Sequence, residues 1–205
     1  MNSRRRSMRG RSPGLVPDAA GRVLFGVLLP LWALPGLVDW WFHRRSDIQE
    51  PKNGGVRESL LHLVMLGEGA PSLGLALSAE INPLVLTLMS GVAILHEATV
   101  TWDLAVASES DRRVTPGEQQ VHSFLETIPF LLVLLSALHA QPGMRDLPAG
   151  GRWALRSKAQ PLPRRYVAGV LLLGTLLGAL PHTEELTRCI RAASSPPSSR
   201  QGGDR

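Results

Sequence analysis

The chain has 205 residues, of which 44% are apolar and 19% are charged, and its 22 Lys and Arg outnumber its 17 Asp and Glu. Its single cysteine, Cys189, excludes an internal disulfide and a thiolate metal cluster. The basic residues concentrate near the N-terminus and in one late loop without interleaved aromatic residues, so we expect no nucleic-acid partner.

Long apolar stretches alternate with short arginine-rich ones, which is typical of an all-α membrane protein. Residues 1–20 are basic and rich in Ser, Gly and Pro, and we expect a disordered arm there. The apolar stretch at about 21–42 is too long for a signal peptide, and no small-residue cleavage pattern follows it, so it is the first predicted span. Trp40 and Trp41 at its end suit a membrane interface.

Three further spans follow with short connections. The second and third are predicted at about 56–78 and 83–106. Pro83 suits the first position of a helix, where the backbone N–H that proline lacks would have no partner within the helix. The fourth is predicted at about 118–139. Thr115 and Glu118, with Pro116 between them, have the spacing of a capping box at its start.

The fifth span, at about 166–180, is barely long enough for a bilayer that needs roughly 20 apolar residues. Gly174 and Gly178 have a spacing that lets helices approach closely, either within the chain or in a homo-oligomer. The transmembrane domain is therefore predicted to cover 21–188, and the Ser/Pro/Gly/Arg-rich residues 189–205 are predicted to be disordered.

The basic residues also predict an orientation. The N-terminal arm and the 141–165 loop are rich in arginine and lie on one side in a five-span topology, whereas the 44–57 and 108–117 loops mix basic with acidic residues. The positive-inside rule then places the N-terminus in the cytoplasm and the C-terminus outside, in a bacterial inner membrane.

The polar residues of the spans are concentrated near one predicted side of the membrane. The end of spans 1 and 3 and the start of spans 2 and 4 meet there in an antiparallel four-helix bundle, and each carries a His and at least one carboxylate. Spacings of four or seven residues put the members of each set on one helix face. The sets are Asp39 and His43, Glu58 and His62, His96 and Asp103, and Glu118, His122 and Glu126.

Imidazole and carboxylate together are the usual ligands of iron, manganese and zinc, and helical bundles use them for di-metal sites. Soluble di-iron bundles space Glu and His three apart, so the likeness is one of chemistry only. The predicted ligands are His43, Glu58, His62, His96, Asp103, His122 and Glu126. Asp39, Glu68, Glu97 and Glu118 are predicted to orient the ligands through hydrogen bonds. The pattern assigns no catalytic residue.

Simpler interpretations exist for some of these residues. Glu118 is foremost a capping residue, and Asp39 and His43 would also suit a solvated helix end. Glu97 points about 100° away from His96 around the helix.

Two further groups of polar residues have open roles. Glu68, between two glycines in span 2, would be a proton-relay group, the partner of an imidazole, or the mark of a broken helix. His182, Glu184 and Glu185 follow Pro181 at the end of span 5, and we expect them to form a solvated tail instead of covering the site.

Three functions fit this pattern, and the sequence leaves open whether the protein is an enzyme. The first is a di-metal oxidoreductase or hydrolase, with iron favoured, that acts on a lipid or quinone. The second is a b-type haem electron carrier, which explains paired histidines but not the carboxylates. The third is a non-enzymatic ion or metal transporter, or a structural helical protein, although transport predicts polar residues at the membrane midplane. Phosphate-binding glycine loops and the serine-hydrolase elbow are not found in the sequence.

Overall fold

Five long helices make up the protein in a computed structural model, which describes residues 15–50, 53–145 and 147–195. Within these ranges no strand is present. Each helix is long and apolar enough to cross a membrane, which confirms the predicted number of such helices. They are α1 (Leu15–Arg45), α2 (Gly55–Ser78), α3 (Pro83–Ser108), α4 (Pro116–Arg145) and α5 (Arg164–Ser194).

The helix ends differ from the prediction mainly in the first and last helices. Residues 15–20 and 189–194, predicted to be disordered, are helical. The remainder of the predicted disordered segments, 1–14 and 196–205, lies outside the described residues apart from Ser195. Helix α4 continues beyond the predicted end at 139 to Arg145, past Pro142.

A π-helical turn precedes a proline in both α1 and α5. Each of these helices contains a π-helical turn, Leu24–Leu28 and Thr175–Ala179, that ends two residues before a proline, Pro30 or Pro181. Proline has no N–H, and its ring clashes with the carbonyl four residues earlier. Widening the preceding turn relieves that clash, so the chain continues as a helix beyond the proline.

The apolar core lies in one half of the helical assembly. Leu24 and Leu29 of α1 belong there to one apolar cluster with residues of α2, α3, α4 and α5. The other buried members of this core are Leu73, Ala76, Leu77, Ala79, Ile81, Val85, Met89, Leu132 and Val170. The core thus occupies the half that contains the α2–α3 turn, and the opposite half, with the α1–α2 and α3–α4 loops, is left for polar groups.

The connection between α2 and α3 is held by the long loop that precedes α5. The backbone N–H of Glu80 donates to the carbonyl of Arg156 at 2.8 Å, and that of Lys158 donates to Ser78 at 2.9 Å. Asn82 caps α3 by accepting from Val85 N–H at 3.0 Å, directly before Pro83 at the start of the helix. Burial lowers the pKa of Lys158, whose ammonium lies 5.6 Å from the Phe25 ring.

Large apolar side chains cover the outer surface of the helices. Ile94 is 67% exposed, Phe124 is 59% exposed and Leu172 is 57% exposed. A water-soluble protein rarely exposes so many large apolar residues together. Together with the length of the helices, this surface is compatible with an integral membrane protein.

Candidate metal centre

All five helices contribute buried polar side chains to one end of the assembly. The last turns of α1 and α3 and the first turns of α2 and α4 meet there, as the sequence predicted, and the middle of α5 joins them. We call this set of nine residues the polar cluster: Asp39, His43, Glu58, His62, Asp103, Glu118, His122, His182 and Glu185. Eight of them are buried, and the side chain of His122 is 12% exposed.

His43 lies at the centre of the polar cluster. Its Nδ1 is 3.1 Å from Glu185 Oε2. Its Nε2 lies 3.4 Å from a Glu118 oxygen, 3.6 Å from an Asp39 oxygen and 3.7 Å from a Glu58 oxygen. Among the described residues this Nε2 has no aligned hydrogen-bond partner. A ring nitrogen facing three carboxylates without such a bond is arranged like a ligand around a shared cation.

His122 and Asp39 extend the same arrangement. His122 Nε2 lies 2.7 Å from Asp39 Oδ1, yet neither atom has an aligned hydrogen bond within the described ranges. Ligands at 2.0–2.2 Å from a tetrahedral ion are separated from each other by about 3.3 Å. The contacts of His43 Nε2 at 3.4–3.7 Å are close to this separation, whereas the contact between His122 and Asp39 is shorter and has the length of an ion pair. Asp39, His43, His62 and His122 each offer a donor atom within 4.8 Å of the others.

His62 connects this first group to a second one. Its ring stacks on His43 at 4.7 Å between centroids, its Nδ1 is 3.3 Å from Glu185 Oε1, and its Nε2 is 3.5 Å from Asp103 Oδ2. His62, His182 and Glu185 form a second set with donor atoms within 4.8 Å of one another. Both of these groups therefore include His62.

A third group of potential ligands already holds a cation. The Arg112 guanidinium donates to carboxylate oxygens of both Glu58 and Glu118, which with His43 form this group. Burial opposes the charge of Arg112, but Glu58 and Glu118 outweigh that effect and raise its pKa above the ordinary value. Arg112 also donates to Ser46 Oγ at 3.0 Å, so it links the α3–α4 loop to the α1–α2 loop.

Glu118 combines the two roles considered for it. Its backbone N–H donates to Thr115 Oγ1 at 3.2 Å, and its Oε2 accepts from Thr115 N–H at 3.4 Å, which confirms the capping box. Its other oxygen, Oε1, faces Arg112 and His43. The cap thereby fixes the carboxylate in the polar cluster.

His96 lies away from the polar cluster, deeper in α3. Its Nδ1 is 3.5 Å from Glu68 Oε2, and Glu68 Oε1 accepts from Thr99 Oγ1 at 2.7 Å. Glu68 therefore is the partner of an imidazole, one of the three roles considered for it, and α2 is unbroken around it. The two belong to none of the three ligand groups.

The remaining predicted residues also lie outside the ligand groups. Glu97 is exposed on the outer face of α3. Glu126 is half-buried and lines a cavity next to the polar cluster. This cavity has a volume of about 130 Å³ and is bounded by all five helices, with Trp32, Met65 and Leu125 among its apolar walls.

The prediction of a solvated tail at His182 and Glu185 is wrong. His182 is 6% exposed and Glu185 is fully buried, and Glu185 contacts both His43 and His62. Only Glu184 behaves as expected, with a 41% exposed side chain that pairs with Arg44 and Arg188. The missed signal was the spacing of three between His182 and Glu185, which share a face once α5 continues beyond Pro181.

Gly174 and Gly178 contact the chain's own helices. A Cβ at Gly174 would lie 2.6 Å from the Trp32 ring, and one at Gly178 would lie 3.5 Å from Leu66. The close approach that their spacing predicts thus occurs inside the chain. A homo-oligomer stays a prediction, but these two glycines are not exposed for it.

Comparison with known proteins adds no relationship: no protein-family model, no curated protein and no solved structure matches the chain. The function is therefore argued from the geometry and charge of the polar cluster.

Proposed function

We propose that the protein is an integral membrane metal-binding protein whose polar cluster holds two divalent transition-metal ions. The observation that carries this proposal is the charge of the cluster. Five buried carboxylates belong to the cluster, those of Asp39, Glu58, Asp103, Glu118 and Glu185. Among the described residues the one guanidinium that pairs with any of them is that of Arg112, which contacts Glu58 and Glu118. With neutral imidazoles, four negative charges stay uncompensated, and two divalent ions balance them.

Buried ligand atoms without hydrogen bonds support the same proposal. Asp39 Oδ1, His43 Nε2, His62 Nε2 and His122 Nε2 are buried and lack aligned hydrogen bonds among the described residues. Burying such an atom without a partner costs roughly 1–3 kcal/mol, so a bound cation that contacts these atoms would stabilise the cluster. Coordination by a metal ion satisfies all four.

The two ligand groups would hold neighbouring ions. The first comprises Asp39, His43, His62 and His122, and the second comprises His62, His182 and Glu185, with Asp103 beside them. A neutral His62 has one free ring lone pair, so it would ligate only one of the two ions. The third group is taken by Arg112, which argues against a third ion. Mixed imidazole and carboxylate ligands favour iron, with manganese or zinc as alternatives.

The adjoining cavity makes an enzyme the favoured form of this proposal. Metal ions in such a site polarise a bound oxygen atom, activate water or react with dioxygen. The protein residues orient the ions and exclude bulk water, while the apolar cavity receives a lipid-soluble substrate such as a lipid or quinone. In the membrane we propose an antiparallel bundle with the polar cluster near the outer face, the N-terminus in the cytoplasm and the C-terminus outside.

The other candidate functions have less support. A haem macrocycle is much larger than benzene, whereas the cavity beside the histidines, at about 130 Å³, is similar to an engineered cavity of about 150 Å³ that binds benzene. A transporter is expected to bind its ion near the membrane midplane, whereas Asp39, Glu58 and Glu118 lie within about two turns of helix ends.

Elemental analysis of detergent-purified protein tests this proposal. We expect two equivalents of iron, manganese or zinc per chain in the parent, and loss of at least one in His122→Ala. Glu97→Gln is the matched control because Glu97 is an exposed carboxylate outside the cluster, and it should keep both ions. A parent that retains no transition metal after loading and dialysis would contradict the proposal, and a Soret band would replace it with the haem alternative.

A further inference from the structure

One arginine of the α3–α4 loop turns inward at the end of the helical assembly where the polar cluster lies. Asp111 and Arg113 are exposed in this loop, whereas Arg112 between them is 7% exposed. Its guanidinium holds two carboxylates of the cluster and also donates to Ser46 Oγ, directly after the end of α1. Arg112 therefore connects the α1–α2 and α3–α4 loops across this end of the cluster.

The groups around this guanidinium have the composition of a metal site. Glu58, Glu118 and His43 offer donor atoms within 4.8 Å of one another, and all three side chains are fully buried. His43 Nε2 lies 3.7 Å from Glu58 and 3.4 Å from Glu118, and neither it nor Glu58 Oε2 has an aligned hydrogen bond among the described residues. Arg112 thus leaves two buried ligand atoms of this group unsatisfied.

An ion bound in this group would lie next to the proposed metal centre. His43 belongs both to this group and to the one that it forms with Asp39, His62 and His122. Its Nε2 is 3.6 Å from Asp39, which is within the range of its distances to the two glutamates. Because one nitrogen faces both groups, an ion can move from the first to the second without losing its contact with His43.

The surroundings of the cluster indicate from which side an ion enters. The cavity next to the cluster has apolar walls that include Trp32, Met65 and Leu125, and an ion that gives up its water ligands among such groups is strongly destabilised. At the loop end, the carboxylates of Glu58 and Glu118 replace water ligands with charged oxygens. A divalent ion there also balances both carboxylates, whereas the guanidinium balances only one.

We propose that Glu58, Glu118 and His43 form an entry site for divalent transition-metal ions, which Arg112 closes when no ion is passing. An arriving ion displaces the guanidinium, binds the two carboxylates and the imidazole, and moves on to the metal centre, after which Arg112 returns. The role in loading rests on the proposed metal centre. Binding of an ion at the entry site once Arg112 is removed does not.

Arg112→Met tests this proposal because it removes the competing cation and leaves the three ligands in place. Detergent-purified protein is loaded with Zn²⁺ and dialysed, and the retained zinc is measured by elemental analysis. We expect one equivalent more than in the parent, three instead of two. Adding Glu118→Gln to Arg112→Met should remove the additional ion, and Arg113→Met, at an exposed neighbouring position, should retain the zinc content of the parent.

The rate of zinc uptake is a second readout, from variants that keep more of the native contacts. Ser46→Ala removes the hydrogen bond that ties Arg112 to the α1–α2 loop and keeps both ion pairs, so uptake from a chromophoric chelator should be about fivefold faster. Arg112→Lys keeps the charge, but a single ammonium lacks the fork that holds two carboxylates, so uptake should be at least about tenfold faster.

The outcomes separate the entry site from the metal centre. An additional ion in Arg112→Met beside a parent that binds none would refute only the metal centre. Equal zinc contents above zero in Arg112→Met and the parent would overturn only the entry site, and no zinc in either protein would overturn both. If Arg112→Met does not fold, uptake rates in Ser46→Ala and Arg112→Lys equal to that of the parent would overturn the entry site.

Discussion

Arg112 provides the sharpest test of how the polar cluster is stabilised. It is 7% exposed and is the only guanidinium among the described residues that contacts Glu58 and Glu118. Arg112→Met keeps an apolar stem of similar length and leaves both carboxylates without their cation. Breaking a buried ion pair in this way typically costs about 3–5 kcal/mol, because the remaining charge stays buried.

The loss is measured as the free energy of unfolding in detergent, by circular dichroism over a denaturant series at neutral pH. Arg113→Met is the matched control, since Arg113 is exposed and adjacent in sequence, and surface substitutions of this kind are usually within about 0.5 kcal/mol. Adding Glu58→Gln to Arg112→Met removes one uncompensated charge and should recover part of the loss. Equal stability of Arg112→Met and Arg113→Met would refute the reasoning.

Two further predictions concern α5 and the cap of α3. Glu185→Gln should lower metal affinity about 10- to 100-fold in competition with a chelator, because Glu185 contacts both His43 and His62, whereas Glu184→Gln at an exposed site should leave it unchanged. An unaltered affinity in Glu185→Gln would remove Glu185 from the centre. Asn82→Ala should cost about 1 kcal/mol of unfolding free energy through loss of the cap to Val85, and a loss below about 0.3 kcal/mol would contradict that role.

Local sequence patterns were sufficient for the helices and for much of the polar cluster. Hydropathy predicted five membrane-length helices, and the spacing of four in Asp39–His43 and Glu58–His62 predicted which faces would meet. The structure confirms that these buried His and acidic groups lie near one another. The capping box at Thr115 is equally local, and it formed as predicted.

The features that the patterns did not predict depend on position along the helix axis or on contacts distant in sequence. His96 shares a helix face with Asp103, but seven residues separate them by about 10 Å along the axis, so His96 pairs with Glu68 instead. The periodicity of a sequence indicates which face of a helix a residue occupies. It does not indicate which residues of other helices lie at the same level along the axis. Arg112 was missed because a loop conformation, not a helical pattern, brings it to Glu58, 54 residues away.

Pro181 caused the remaining error. A proline after a barely sufficient apolar stretch was interpreted as the end of span 5, which left His182 and Glu185 outside the bundle. The π-helical turn Thr175–Ala179 accommodates the proline, and α5 continues to Ser194. Such a turn depends on packing around the helix, which the sequence pattern does not contain.

X-ray absorption at the zinc edge of Zn²⁺-loaded, dialysed protein tests the central claim most directly. The account predicts nitrogen and oxygen ligands at about 2.0–2.2 Å, with the scattering pattern of imidazole rings. These features should disappear together in a variant that lacks both His43 and His122. A shell of water oxygens without imidazole, or no zinc retained after dialysis, would contradict a metal centre in the polar cluster.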